Sequence, residues 1–409
     1  MYLFCDTIFY MKDIKIAALI KKEAARQKKA INLIPSENYC SRDCLDALGS
    51  VFDNKYAEGY PRARYYGGQQ FTDEVEELCQ ARALKLFGLS ANEWHMNVQP
   101  WSGANANLAV YLGLVPIGGK IMGLELSSGG HLSHGQKVSI TGKAWARVPY
   151  TVNAQTELLD YEELMKIAMT EKPALIVCGF TAYPRVVDWK KFREIADACG
   201  AILMADMSHI AGLIAGKAYP SPFPFVDVAT TTTHKTLRGP RAAMIFTKID
   251  AREFHKKVDK ALFPGLQGGP HMSQIAAVAV ALNEALSPKF KSYAKQVVKN
   301  AQALADELGK FGWRIVSGGT DSHLILVDTW MGGVRDANGR GGLPGKDAEA
   351  RLEKAGIICN KNTIPGETRS AFDPSGIRLG SPAETTRGAK EKQFRAIAQK
   401  IDKVLRNVK

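Results

Sequence analysis

The chain has 409 residues, 45% of them hydrophobic, enough to bury a large core and to build more than one domain. Its 54 basic residues outnumber 41 acidic ones for a net charge of +13, yet these charges are scattered singly along amphipathic patterns without a dense run or interleaved aromatics, so a nucleic-acid partner is not expected. Seven cysteines, at 5, 40, 44, 79, 178, 199 and 359, form no C-x-x-C pair, which argues against a metal site or disulfide framework and for reduced thiols in a cytoplasmic protein.

In chain order, Met1–Tyr10 is apolar, but Asp6 interrupts it, no basic region precedes it and no small-residue cleavage site closes it, so it reads poorly as a signal peptide. No later apolar stretch has membrane-spanning length, and the mean hydropathy of -0.16 agrees. Asp13–Lys29 has an N-cap candidate followed by Ile16, Leu19, Ile20 and Ala24 at helical spacing, the pattern of an amphipathic entry helix. From about residue 72, helical stretches such as Asp73–Phe87 alternate with short apolar runs, including Ala174–Cys178, Ala201–Ala205 and Ala242–Phe246. That alternation predicts an α/β domain with a mainly parallel central sheet flanked by helices.

The run Ala174–Cys178, the helix Trp189–Cys199 and the run Ala201–Ala205 make one βαβ unit. Asp206 then falls at the carboxyl end of its strand, where open α/β sheets place ligands. A helix over Ser287–Phe311, a strand over Ser322–Val327 and a helix over Lys346–Ala355 predict a second, smaller α+β domain, with the glycine-rich Met331–Leu343 as a surface loop. The expected division is an N-terminal arm and entry helix over 1–34, a large domain over 35–285 and a small C-terminal domain over 286–409. From 286 onward 22 basic residues face 13 acidic ones, so much of the net charge belongs to the small domain, where solvated helix faces account for it better than a nucleic-acid surface does.

Thr230–Arg241 embeds Lys235 among hydroxyls, a histidine and glycine. An isolated lysine is most often a surface group, but one that attacks an aldehyde must be partly deprotonated, and nearby cations or desolvation achieve that. Asp206-Met-Ser-His209 supplies a carboxylate able to hold a pyridinium nitrogen protonated; alone it would read as a turn cap beside a core histidine. Ser102-Gly103-Ala104-Asn105 precedes the helical pattern Asn107–Leu114, so its backbone N–H groups can cradle a phosphate. Gly129-Gly130-His131 and Gly268-Gly269 are individually weak signals, since glycine usually serves turn geometry.

Together these segments resemble the serine hydroxymethyltransferase family, pyridoxal-phosphate enzymes of fold type I. The likeness runs from Ile31 to Gly380 and rests on Leu33–Asn38, Lys55–Pro61, Ser128–Gly135, Asp206–Gly212, Thr230–Arg241, Phe263–Pro270 and Ser375–Gly380, in the family's order. The resemblance implies that Lys235 carries pyridoxal 5′-phosphate, Asp206 pairs with its pyridine nitrogen, His209 contacts its phenolic oxygen and His131 stacks on its ring. Ser102, Gly103, Ala104, Thr181, Thr232, His234 and Gly268 belong to the same implied pocket, with Tyr56 and Gly269 reaching it from a neighbouring subunit of a homodimer or larger assembly. Arg378 is implied to clamp the amino-acid carboxylate, with Ser36 and Tyr66 nearby. Glu58, beside Tyr65, is implied to move protons during one-carbon transfer to tetrahydrofolate, the co-substrate met by Leu126, Gly130, Leu132 and Asn362.

The implied reaction converts serine and tetrahydrofolate to glycine and 5,10-methylenetetrahydrofolate. Competing expectations are a folate-independent aldolase or transaldolase acting on other β-hydroxy amino acids such as threonine, and a pseudoenzyme or RNA-binding homologue; Glu58, Tyr65 and Asn362 speak against the first, the set Lys235, Asp206, His131 and Arg378 against the second. Departures from the family pattern are Trp101 for a histidine, Ser128 for a histidine beside the pteridine positions, Ser208 for an alanine, the 61–64 turn, Gln69-Gln70, Ala242-Ala243 and a longer 331–343 loop.

Overall fold

In the computed structural model, residues 11–331 and 342–406 are described. The Met1–Tyr10 stretch and all of the 331–343 loop except its ends lie outside the described residues. Asp13 accepts hydrogen bonds from the backbone N–H groups of Lys15 and Ile16 and so opens the helix Ile14–Lys29. No residue of that helix is buried, and Ile14, Ile16, Leu19 and Ile20 face solvent. The chain then pairs Ile31–Asn32 in parallel with Ile357–Ile358, tying the arm to the C-terminal part of the molecule.

The main sheet has seven strands in the order Trp94–Asn97, Ala243–Lys248, Val228–Thr232, Ile202–Asp206, Leu175–Gly179, Lys120–Leu124 and Ala146–Tyr150. Ladders among the last five are parallel, as the βαβ pattern predicts. The exception is Ala243–Lys248, antiparallel to both neighbours. Its connection from Val228–Thr232, residues 233–242, contains no helix, and a parallel return needs a crossover of about a dozen residues or more. That same connection carries Lys235.

Alternation along the central strands divides the apolar residues between two layers. Ile176, Cys178, Leu203 and Ala205 enter one core, whereas Leu175, Val177 and Met204 enter the opposite one, the period of two that a pleated strand requires. Both faces are covered, so these strands read as continuous apolar runs. A separate core gathers Leu33, Leu304, Leu308, Ile325, Ile377, Leu379, Phe394 and Ile401 around an antiparallel sheet ordered Arg314–Ile315, Leu324–Asp328, Gly376–Gly380 and Asn360–Asn362. The helix Pro288–Lys310, capped by Ser287, joins the two: Phe290 and Val297 pack in the first core, Leu304 and Leu308 in the second.

Two helices begin earlier than their apolar spacing predicts. Gln70–Phe87 starts ahead of Asp73 because that carboxylate is engaged elsewhere, accepting from Arg62 N and Arg64 Nε in the preceding turn. Gly103–Leu114 starts ahead of Asn107 because Ser102 already has the extended conformation of an N-cap.

The loop carrying Lys235 is held by close backbone packing. A Cβ added at Gly212 would lie 2.2 Å from the carbonyl oxygen of Thr236 and 2.7 Å from the backbone nitrogen of Leu237. Thr236 Oγ1 also accepts from Gly212 N and donates to the His209 carbonyl. Gly212→Ala is therefore expected to lower stability by about 1–3 kcal/mol, read as a drop in the thermal unfolding midpoint; an unchanged midpoint would show that this contact does not hold the loop.

Candidate active site

The sheet brings its chemistry to one edge. Ser102–Gly103 follows Trp94–Asn97, Gly129–His134 follows Lys120–Leu124, Thr181 follows Leu175–Gly179, Asp206 ends its own strand, and His234–Lys235 follows Val228–Thr232. All are carboxyl ends of strands running in one direction, the edge at which open α/β sheets bind ligands. Gly103 packs so near this edge that a Cβ would stand 2.6 Å from Thr232 Cγ2. Ser102 makes no side-chain cap bond to the helix it opens; its hydroxyl donates to Asn105 Oδ1. The amides of that first turn thus remain available to an anion, with Ala104 exposed beside them.

Asp206 is buried, and both its oxygens are engaged. Oδ2 accepts from Asn107 Nδ2 at 2.9 Å and lies 3.0 Å from His134 Nε2, while Oδ1 accepts from Ser208 N at 3.1 Å and Ser208 Oγ at 2.6 Å. Burial alone would push this carboxyl up, but the His134 hydrogen bond, the Lys235 cation and the Ser208 hydroxyl hold it well below the usual carboxylate range. Asn107 is oriented in turn, its Oδ1 accepting from Thr230 Oγ1 at 2.7 Å and its amide also donating to Ser133 Oγ. None of His134, Asn107 and Ser133 is singled out by sequence reasoning.

Lys235 is 9% exposed, not a group on an open surface. Burial lowers its ammonium to about 8; Asp206 opposes the shift, while Arg378 and Arg241 reinforce it. The Lys235 carbonyl accepts from Asn38 Nδ2 at 2.9 Å, and Asn38 is itself held by Tyr293 and Thr386. His131 is lowered to about 4, chiefly by burial, and its Nδ1 accepts from Ser133 N, which fixes the ring. His209 lies 3.0 Å from His323, Nδ1 to Nε2. Among the described residues, Thr232 Oγ1 and His234 Nδ1 are buried without a hydrogen-bond partner.

Arg378 comes from the other sheet. It donates through Nε to Asn360 Oδ1 at 3.1 Å and through Nη1 to the Thr181 carbonyl at 2.6 Å. Thr181 Oγ1 in turn donates to the carbonyls of Gly129 and Gly130, so the guanidinium is registered against the strand-end loops. Burial, with no carboxylate offsetting it, lowers Arg378 to about 10. Asn360 sits opposite Arg378 and Asn362 opposite Gly376 in the ladder; two residues apart, Asn360 and Asn362 share a face. Sequence reasoning names Asn362 and passes over Asn360.

A second group of expected residues gathers elsewhere on the chain. Tyr56 OH lies 3.2 Å from Glu58 Oε1, Tyr56 meets Tyr66 edge to face at 5.4 Å, and Tyr65 meets Phe263. A Cβ at Gly268 would stand 3.0 Å from Glu58 Oε1, and one at Gly269 3.7 Å from Tyr56 Cε1. Buried pairs from Arg64 to Asp73 and Glu76 hold this turn. Tyr56, Tyr65 and Tyr66 are 58%, 72% and 50% exposed. Leu126 and Leu132 are also exposed, and Ser36 is half-buried. Of the departures from the family pattern, Trp101 stacks on His271 with 5.1 Å between centroids, and Ser208 adds its hydroxyl to Asp206.

The depressed Lys235 has a sign that can be checked. Its folded value lies below that of a free lysine, so between about 8 and 10.5 the unfolded chain binds more protons and the penalty of burying the charge fades as pH rises. Lys235→Met is expected to stabilise the ligand-free protein at pH 7 by on the order of 3 kcal/mol, a gain that shrinks toward pH 10.5. Thermal unfolding of both proteins across that range measures it, and a pH-independent difference contradicts the assignment.

The family model described as serine hydroxymethyltransferase matches residues 9–401. A curated relative, the serine hydroxymethyltransferase of Methanosarcina barkeri (strain Fusaro / DSM 804), is 53% identical over 395 residues, covering 97% of this chain and 92% of its own. With the family matched along nearly its whole length, and with Lys235, Asp206 and Arg378 assembled at one strand-end edge, the chain belongs to the serine hydroxymethyltransferase family.

Proposed function

We propose that the residues gathered at the strand ends carry out on this chain the reaction of its family, the reversible transfer of the hydroxymethyl carbon of serine to tetrahydrofolate, giving glycine and 5,10-methylenetetrahydrofolate. The observation that carries the assignment is Lys235 itself: a buried amine brought to about 8 beside a carboxylate that stays ionised. Pyridoxal phosphate fits the residues present. An amine neutral in part near neutral pH suits its aldehyde, Asp206 suits a protonated pyridine nitrogen, and the uncapped turn at Ser102–Gly103 suits its phosphate. The unpartnered Thr232 Oγ1 and His234 Nδ1 give two further polar atoms to the pocket.

When bound, the cofactor supplies a ring that withdraws electrons from the α-carbon of the amino acid. The chain's residues do the rest. Asp206, kept ionised by Asn107, His134 and Ser208, holds the proton on the pyridine nitrogen. His131, with Nδ1 tied to Ser133, offers a fixed flat face to the ring, and His209 serves its phenolic oxygen. Arg378, its Nε and Nη1 already seated on Asn360 and Thr181, offers its remaining donors to the amino-acid carboxylate, with Ser36 and Tyr66 assisting. Glu58 and Tyr65 manage protons at the transferred carbon, while Leu126, Gly130, Leu132 and Asn362 receive the folate.

This reading requires a second copy of the chain. Tyr56, Tyr65 and Tyr66 are exposed around the half-buried Glu58, Gly268 and Gly269, and the apolar side of Ile14–Lys29 is uncovered; two-fold pairing of copies would bury both and bring the group to a partner's lysine. The arm, large-domain and small-domain division expected from the sequence belongs to the same reading. No helix among the described residues is long and apolar enough to cross a membrane, and a cytoplasmic enzyme is the proposed setting.

Three measurements test the reading. Lys235→Ala abolishes serine turnover while retaining the fold, and wild-type turnover in that variant removes the lysine from the mechanism. Arg378→Lys weakens serine and glycine by about two orders of magnitude, since a bidentate pair of charge-assisted bonds is lost, but spares pyridoxal phosphate; absorbance titration separates these, and unchanged amino-acid affinity eliminates the clamp. Mixing inactive Lys235→Ala with inactive Glu58→Gln chains restores part of the activity if sites are shared between subunits; a fully active monomer rules the sharing out.

A further inference from the structure

His209 and His323 form a pair that the proposed roles only half explain. Both are buried, their rings stand 5.2 Å apart, and Nδ1 of His209 is 3.0 Å from Nε2 of His323. His323 is held from behind, its carbonyl accepting from Ser381 N and Ser381 Oγ. Burial, together with Lys235 and Arg378, keeps His209 well below the ordinary histidine value and brings His323 to about 3. Two neutral imidazoles facing each other nitrogen to nitrogen share one proton, and its position decides what each ring presents at its other end.

The two arrangements differ in their consequences. With the proton on His209 Nδ1, His209 turns a bare lone pair to the site, and His323 must carry its own proton on Nδ1, which is buried without a partner among the described residues. A buried donor without an acceptor loses its hydration uncompensated. With the proton on His323 Nε2, the unpartnered nitrogen becomes a lone pair instead, and His209 carries its proton on Nε2.

We propose that His323 is a positioning residue: it donates Nε2–H to His209 Nδ1 and thereby fixes His209 as the tautomer whose proton, on Nε2, is free to donate to the cofactor's phenolic oxygen. The second half of this statement rests on the role proposed for His209; the first concerns the two rings alone. A neutral His209 can then stabilise negative charge on that oxygen without bringing a further cation beside Lys235 and Arg378.

The direct test is the ¹⁵N NMR signature of His209 in the cofactor-free wild-type protein. Protonation at Nε2 is expected, and protonation at Nδ1 overturns the proposal whether or not the cofactor site is correctly assigned. Two variants test the donor. His323→Gln keeps an N–H at the position of Nε2 and is expected to hold the His209 tautomer and bind pyridoxal phosphate within about twofold of wild type, whereas His323→Leu mixes the tautomers and weakens binding about tenfold. Equal binding in all three proteins overturns the proposal, and so does an equal loss in both variants, which would mark His323 as packing only. Should His323→Leu not fold, wild type and His323→Gln still decide through the NMR signature. Failure of the wild-type protein to bind pyridoxal phosphate would strike the proposed function and leave the histidine pair to be judged by NMR.

Discussion

The constraint on which the site turns is the ionised carboxylate of Asp206, buried at the carboxyl end of a central strand. A buried charge is tolerated only when paired and hydrogen-bonded, and a carboxylate has about four acceptor positions. Asn107, His134 and two donors of Ser208 engage both of its oxygens and so sustain the charge. Each supporter comes from a different piece of chain: the helix Gly103–Leu114, the loop after Lys120–Leu124, and the turn after the strand itself. Satisfying one charge therefore fixes the relative placement of three segments.

The same edge explains the lysine. Lys235 stands in the connection that makes Ala243–Lys248 antiparallel, so the departure from a fully parallel sheet and the placement of this lysine are one feature. A helical crossover there would carry the residue after Thr232 away from the sheet. The short connection returns at once and leaves Lys235 buried within electrostatic reach of Asp206 and Arg378, with Gly212 and Thr236 packed backbone to backbone.

How much of this was legible in the sequence follows from what each residue interacts with. Asp206 could be placed from the apolar run before it, because strand ends are local features. The helix Trp189–Cys199 appears with the predicted bounds, since its spacing, N-cap and closing Gly200 all agree. Lys235 and Arg378 were marked by their local segments and by family likeness. The supporters were not, for Asn107 and Asp206 are 99 positions apart, and Asn360 and Arg378 meet only because two strands pair in one register. His134 lies inside a family-like segment, three residues beyond His131, yet nothing in that spacing says which histidine meets the carboxylate. The helix starts were misjudged for a similar reason: Asp73 has the composition of a cap, but its partners are Arg62 and Arg64 in the preceding turn.

The charge balance of the pocket then accounts for the chemistry of what enters it. Asp206 is a single buried anion, whereas Lys235 and Arg378 are both cations whose values are lowered, the first with Arg241 adding to the effect. Burial is the first cause of both shifts, with the Arg378 and Arg241 charges adding to it at Lys235, so positive charge held at this edge is costly in excess of what Asp206 offsets. An arriving anion relieves that excess, and both anions of the proposed reaction, a phosphate at the uncapped helix start and a carboxylate at the guanidinium, carry the required sign. Relief at Arg378 acts through charge on Lys235 as well: a carboxylate seated on the guanidinium removes part of the field that lowers the amine, so its proton affinity rises as substrate binds. Under the proposed function, carboxylate binding at Arg378 and the protonation state of Lys235 would be coupled through charge, with no movement of the backbone needed.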